Sequence, residues 1–213
     1  MIIEFFGFPG SGKTTICNRF VKKLNKDDQK VIRGTFDHLG AFPRIVFKLF
    51  YSFLCIFISP YFYIKNLTFF IKQGKLAAAD FLNITYLYSR YSLFKNSDKI
   101  VVFDQGLIQA YWSIIAFAEE EKEYDYKFLF EKIDIIVILE IDIEKNLERL
   151  FLREDKRSRV QKKEAEELEQ YFKKFLMVKE SLNELNISYK LYLDSEKKVK
   201  KNVKKIRKEI ILN

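Results

Sequence analysis

The stretch "GFPGSGKT", Gly7 to Thr14, constrains this chain more than any other. It fits the pattern G-x-x-x-x-G-K-[ST] and follows a short apolar run, "MIIEFF". It opens a helical pattern, "SGKTTICNRFVKKL", that places Ile16, Phe20 and Leu24 on one face. The chain has only 7 Gly and 3 Pro, yet three Gly and one Pro fall between Gly7 and Gly12. The physical need is specific. A triphosphate carries several negative charges in a small volume, and backbone N–H groups must turn inward to encircle it. Glycine alone tolerates the dihedrals and the close approach. A helix N-terminus adds partial positive charge. Gly7, Pro9, Gly10, Ser11, Gly12, Lys13, Thr14 and Thr15 are therefore the candidate nucleotide-binding residues. Lys13 brings a full charge to the outer phosphates, and the Thr14 hydroxyl suits Mg²⁺.

The remaining pattern is that of an α/β domain. "KVIRGTF", "KIVVFDQG", "IDIIVILEID" and "ISYKLYLD" read as strands two to five. "IEKNLERLFLRE", with Asp142 as its N-cap, and "KKEAEELEQYFKKFLMVKESLNEL" read as helices, and a lysine-rich helix ends the sequence. Alternation of this kind argues for a parallel sheet with helices on both faces, in one domain over residues 1–213. No secretory pattern is visible in "MIIEFF", and Cys17 and Cys55 read as reduced, buried thiols, so the expected location is cytoplasmic. The single histidine, His38, argues against a histidine-based metal site.

Charge and greasiness are unevenly spread. Of the net charge of +9, a surplus of six lies in "SEKKVKKNVKKIRKEIILN", which reads as a solvated helix face or a patch for acidic lipid or polyanion. No aromatic residue interleaves with these lysines, so no specific nucleic-acid partner is expected. "LFYSFLCIFISPYFYI", Leu49 to Ile64, has no charge at all. It is shorter than the about twenty residues a membrane span needs, and it lies between two strands of one sheet. The alternatives are a pair of buried helices, a homodimer contact, or an apolar surface. Such a surface would lie on a bilayer or hold a lipid-linked or otherwise apolar substrate, so membrane association stays open.

Two further features bear on phosphate chemistry. Asp104 ends an apolar strand, so its carboxylate emerges at the edge where α/β sheets bind ligands; there it could orient Mg²⁺ or touch the acceptor. Arg149, Arg153 and Arg157 are four apart and would share a helix face, with Arg159 following. A planar guanidinium fork suits the equatorial oxygens of a migrating phosphoryl group. Fragments reminiscent of a GTPase, "NKDD" at 25–28 and "DHLG" at 37–40, stand in the wrong order along the chain and read as accidents.

Together, the N-terminal phosphate loop, the strand-end Asp104, "ILEIDIEKNLERL", the arginine segment and "YLDSEKKVKKNVKKI" resemble thymidylate kinase and its deoxynucleoside kinase relatives. The resemblance implies a three-layer P-loop NTPase fold, with a five-stranded parallel sheet in order 2-3-1-4-5 and a small Arg-rich lid at about 150–162. It implies ATP and Mg²⁺ as cofactors and a small-molecule phosphate acceptor, held near an apolar helical region at about 40–75. It assigns Lys13, Asp104, Arg153 and Arg157 to catalysis, with Arg149 and Arg159 on the phosphates and Asp37 as a candidate base. The departures are informative. Gln105 stands where these kinases commonly carry an acceptor-binding Arg, and Phe36–Asp37 where thymidylate kinases carry an Arg followed by an acid. Neutral and aromatic groups suit a phosphate poorly. The expected acceptor is therefore not an ordinary nucleoside monophosphate.

Overall fold

The computed structural model describes residues 1–36, 40–72, 78–117, 130–140, 142–152, 165–184, 187 and 189–211. Five strands, β1 (Ile2–Gly7), β2 (Val31–Arg33), β3 (Ile100–Phe103), β4 (Ile135–Glu140) and β5 (Tyr189–Asp194), form one sheet in the order β2-β3-β1-β4-β5. Every neighbouring pair is parallel, with Ile3 level with Ile135 on one side and Glu4 level with Phe103 on the other. Eight helices are described: α1 (Lys13–Lys26), α2 (Ala41–Ile58), α3 (Pro60–Lys72), α4 (Ala78–Phe94), α5 (Leu107–Phe117), α6 (Ile143–Phe151), α7 (Ala165–Glu184) and α8 (Val199–Ile211).

The period of two along β1 sorts the core into two layers. Ile3 and Phe5 face α1 and α8, where they join Phe20, Leu24, Val137, Leu191 and Ile206. Ile2 and Phe6 face the opposite side, with Tyr91 of α4, Trp112 of α5 and Phe175 of α7. Phe6 stacks on Phe175 at 4.9 Å between ring centroids, and Tyr91 on Phe103 at 3.9 Å. Full burial of each such side chain contributes about 1.5–3 kcal/mol. The central strands are apolar nearly throughout because helices cover both their faces. Asp142 caps α6: its Oδ1 accepts from Glu144 N at 3.0 Å and Lys145 N at 3.3 Å.

Three features differ from the sequence reading. Strand β2 has only three residues, since it lies at the sheet edge with one partner. Helices α4 and α5 have no counterpart in that reading. Residues 84–91 of α4 are buried without a break, which erases the helical period. The apolar run folds as α2 and α3, but these are not buried helices: Phe42, Phe53, Phe57 and Tyr61 face outward.

Candidate active site

Strand β1 delivers the chain to the C-terminal edge of the sheet and stops at Gly7, where the phosphate loop begins. Gly10 and Gly12 hold positive φ of 98° and 85°, the left-handed region that disfavours side chains. Space is short as well. A Cβ on Gly10 would lie 2.5 Å from Asn146 Oδ1, and one on Gly7 would lie 2.8 Å from Ser11 Oγ. Asn146, on the first turns of α6, braces the loop by donating Nδ2 to the Pro9 carbonyl at 3.0 Å.

Several features of the loop suit an anion. Gly12 is the N-cap of α1 and has no side chain to cap the helix, and the first turn carries no acid. The Ser11 hydroxyl is buried with no hydrogen-bond partner among the described residues. Such an orphan is costly unless something completes it. Lys13 is buried, and its Nζ donates to the carbonyls of Gly7 and Phe8, the latter at 3.1 Å. Its charge is thus held under the loop. Thr14 and Thr15 are exposed on the first turn of α1.

Asp104 directly follows β3, the neighbour of β1, and is 7% exposed. Its Oδ1 accepts from Thr35 Oγ1 at 3.1 Å, which ties the ends of β2 and β3 together. The carboxylate acts electrostatically on Cys17 of α1, whose thiol is pushed up first by burial and then by Asp104. Gln105 is exposed.

On the other flank, a cavity of about 350 Å³ opens between Gly10–Gly12 and the 195–199 loop, with Arg149 and Thr15 in its wall. Arg149 Nη1 donates to the Ser195 carbonyl at 3.4 Å, and Lys145 pairs with Glu196 at 2.8 Å. The cavity is contiguous with the phosphate loop. Arg153, Arg157, Arg159 and Asp37 lie outside the described residues.

Two charged groups that sequence reasoning passed over are buried beside α4. Arg90, on α4, is 4% exposed, donates to the Arg33 carbonyl at 2.9 Å and to the Tyr51 hydroxyl at 3.2 Å, and lies 4.3 Å over the Phe36 ring. A cation thus does reach Phe36, but rings and carbonyls enclose it. Glu4 is the second. It points from β1 into the layer opposite Ile3, where Oε2 accepts from Tyr91 Oη at 2.6 Å and Oε1 accepts from Ile108 N at 2.8 Å. It thereby caps the N-terminus of α5 and fixes the turn that carries Asp104. Both were signalled by isolation: Glu4 is the only charge before Lys13, and Arg90 the only one between Asp80 and Lys95.

Burial raises the Glu4 carboxyl from 4.5 to about 7, although its bonds from Tyr91 and the α5 backbone oppose the rise. A raised carboxyl pKa means that the folded state holds the proton more tightly than the unfolded chain. The resulting stabilisation is full below pH 4.5 and is lost as pH rises through about 7, with a magnitude on the order of 3 kcal/mol. Glu4→Gln retains an acceptor oxygen for α5 but cannot ionise. Its Tm–pH profile is expected to be flatter than wild type over that window. Parallel profiles would remove Glu4 as the source.

The fold and the loop together define the class: this chain has the nucleoside-kinase-like P-loop NTPase fold. Among solved structures it is similar to deoxyadenosine kinase from M. mycoides with dCMP and a flexible dCDP bound, at 17% identity and a TM-score of 0.61, with both chains covered in full. The same enzyme with dATP gives 18% identity and a TM-score of 0.59 over 99% of each chain. Shikimate kinase from Bacteroides thetaiotaomicron follows at 15% and 0.54, covering 99% of this chain and 98% of that one. YorR from Bacillus subtilis, in complex with phosphorylated GDP, also gives 15% and 0.54, covering 100% and 96%. No protein-family profile matches the sequence, and no curated protein matches it.

Proposed function

We propose that this chain is an ATP- and Mg²⁺-dependent phosphotransferase whose acceptor is a small molecule other than an ordinary nucleoside monophosphate. The observation that carries the reading is the phosphate loop: two left-handed glycines, an orphaned buried Ser11 hydroxyl and a buried Lys13 at the mouth of an uncapped helix. That donor set fits the tail of a nucleoside triphosphate. Thr14 and Asp104 would hold the metal, which supplies charge neutralisation on the phosphates when bound. Lys13 stabilises the migrating phosphoryl group, and Arg149 steadies the nucleotide from α6. Arg153, Arg157 and Arg159 are assigned to the phosphates and Asp37 to the acceptor hydroxyl on the sequence resemblance alone.

The acceptor side supports the second half of the proposal. Phe36 stacks on Phe47 at 4.6 Å, and Tyr51 and Tyr86 lie within 6 Å of Phe36. The nearest cation, Arg90, is occupied by Tyr51 and the Arg33 carbonyl. This wall is aromatic, and the guanidinium nearest Phe36, that of Arg90, is 4% exposed.

The test is a coupled assay that follows the γ-phosphate of ATP onto nucleosides, nucleotides, sugars and polyprenyl alcohols. Transfer to a hydroxyl on a neutral or apolar acceptor is expected. Turnover of dTMP at ordinary kinase rates would overturn the assignment of the acceptor. The outward-facing aromatic residues of α2 favour one other reading, an ATPase that docks on a membrane or a partner protein. Slow hydrolysis without transfer, stimulated by vesicles, would decide for it.

A further inference from the structure

We propose that the seam between α1 and α8 holds a second anion site, which takes a free oligophosphate. A cavity of about 300 Å³ opens there, lined by Arg19, Lys22, Lys23, Lys26, Lys200 and Val203. That volume is at the low end of small-ligand pockets. It lies between the nucleotide cavity, where Thr15 and Val199 share a wall, and the Asp27–Arg207 pair at the end of α1. The core face of α1 is made by Ile16, Phe20 and Leu24, so Arg19, Lys22, Lys23 and Lys26 fall on the side left to water. Arg19 is three and four residues from Lys22 and Lys23, and Lys26 is four and three residues from the same two, so every neighbouring pair along the helix repels. Lys200 and the buried Val203 close the cavity from α8.

Charge defines the occupant. Among the described residues no Asp or Glu lines the cavity, and the side chains of Arg19, Lys22, Lys26 and Lys200 make no hydrogen bond or ion pair. Lys23 meets Asp27 at 3.1 Å, but that carboxylate also holds Arg207 at 2.7 Å. Elsewhere on the surface Lys30, Lys145 and Lys173 each meet a carboxylate of their own at 2.8 Å. Here five cations from two helices share one concavity, and an anion from outside the chain is what pairs them. A single phosphate would leave most of them unmatched, whereas a linear oligophosphate spreads its charges along the row. Lysines hold phosphate as point charges and need no fixed geometry to do so. No aromatic residue lines the cavity for a base to stack on, so the phosphates are recognised and not a nucleoside. The site is separate from the phosphate loop, and the proposal does not depend on phosphoryl transfer.

Calorimetry of the full chain with sodium tripolyphosphate at low ionic strength tests it. Wild type is expected to bind, with an affinity that falls steeply as salt is added. K22E/K26E is expected to weaken this binding at least about tenfold, with a wild-type circular dichroism spectrum because both positions are exposed. The milder K22Q/K26Q is expected to weaken it in the same direction and by less. K201E/K204E changes the net charge equally at exposed positions of α8 outside the cavity, and is expected to bind like wild type. Lys13→Ala, which alters the phosphate loop, is expected to keep the binding that K22E/K26E loses, so the two sites are told apart. Absence of binding by the wild type would overturn the proposal. So would wild-type affinity in K22E/K26E, which would place the anion elsewhere, or an equal loss in K201E/K204E, which would make the effect one of net charge alone. Tighter binding of an RNA oligomer of the same charge would overturn it in favour of nucleic acid.

Discussion

Lys13→Ala is expected to lower turnover about a thousandfold or more and to weaken ATP binding in calorimetry, while the circular dichroism spectrum stays that of the wild type. The size follows from where the charge sits. Lys13 is buried under the loop, so its ammonium acts with less solvent screening than a surface lysine. Its carbonyl partners at Gly7 and Phe8 fix its position before any nucleotide arrives. The variant removes a donor from both carbonyls, a structural cost of about 1–3 kcal/mol, so Tm should fall by several degrees without unfolding. Lys13→Arg should be nearly as inactive, because a planar fork does not fit a space shaped for a single ammonium. Wild-type turnover in Lys13→Ala would remove this residue from the phosphate site.

Gly106→Ala is expected to be strongly destabilising, at about 3 kcal/mol or more. Its backbone is not left-handed, so strain in φ plays no part. The cause is space: the added Cβ would lie 2.1 Å from Tyr91 Oη, 2.3 Å from Glu4 Cδ and 2.4 Å from Glu4 Oε2. Neither neighbour can give way. Both are buried, they are bonded to each other at 2.6 Å, and Glu4 also holds the start of α5. For a domain of this size the loss corresponds to a fall in Tm of roughly 6–12 °C. The background Tyr91→Phe removes the closest clashing atom, so the cost of Gly106→Ala should shrink there by about 1 kcal/mol or more. Additivity of the two substitutions, or a Tm unchanged in Gly106→Ala, would show that the turn relaxes elsewhere.

The phosphate loop could be read from sequence because its requirements are local. Left-handed glycines, a lysine and a hydroxyl fall within eight consecutive residues, and each is needed for a separate physical reason. The sheet order was legible only through resemblance, because nothing local to β1 says that β3 and β4 will flank it. At Phe36 and Gln105 the sequence shows which residues stand after β2 and β3, but not what surrounds them. Arg90 comes from α4, more than fifty residues beyond Phe36, and its role depends on rings contributed by α2 and the end of β2. Glu4 was hidden in a similar way. Alternation along β1 puts it inside, yet only the fold reveals that the α5 N-terminus and Tyr91 await it there. The greasy run was correctly marked as anomalous, but the pattern of its residues does not show which side faces α4. That side is chosen by Asn83 and Thr85, polar partners on a helix the sequence did not announce.

The central place of β1 has a consequence for synthesis. Its neighbours β3 and β4 emerge from the ribosome long after it does, since Ile3 pairs with Ile135. At ordinary elongation rates that delay is on the order of ten seconds. Throughout it, "IIEFF" and then the phenylalanines of α2 belong to a nascent chain with no sheet to join. Production of this protein should therefore depend on chaperone capacity more than its final packing implies.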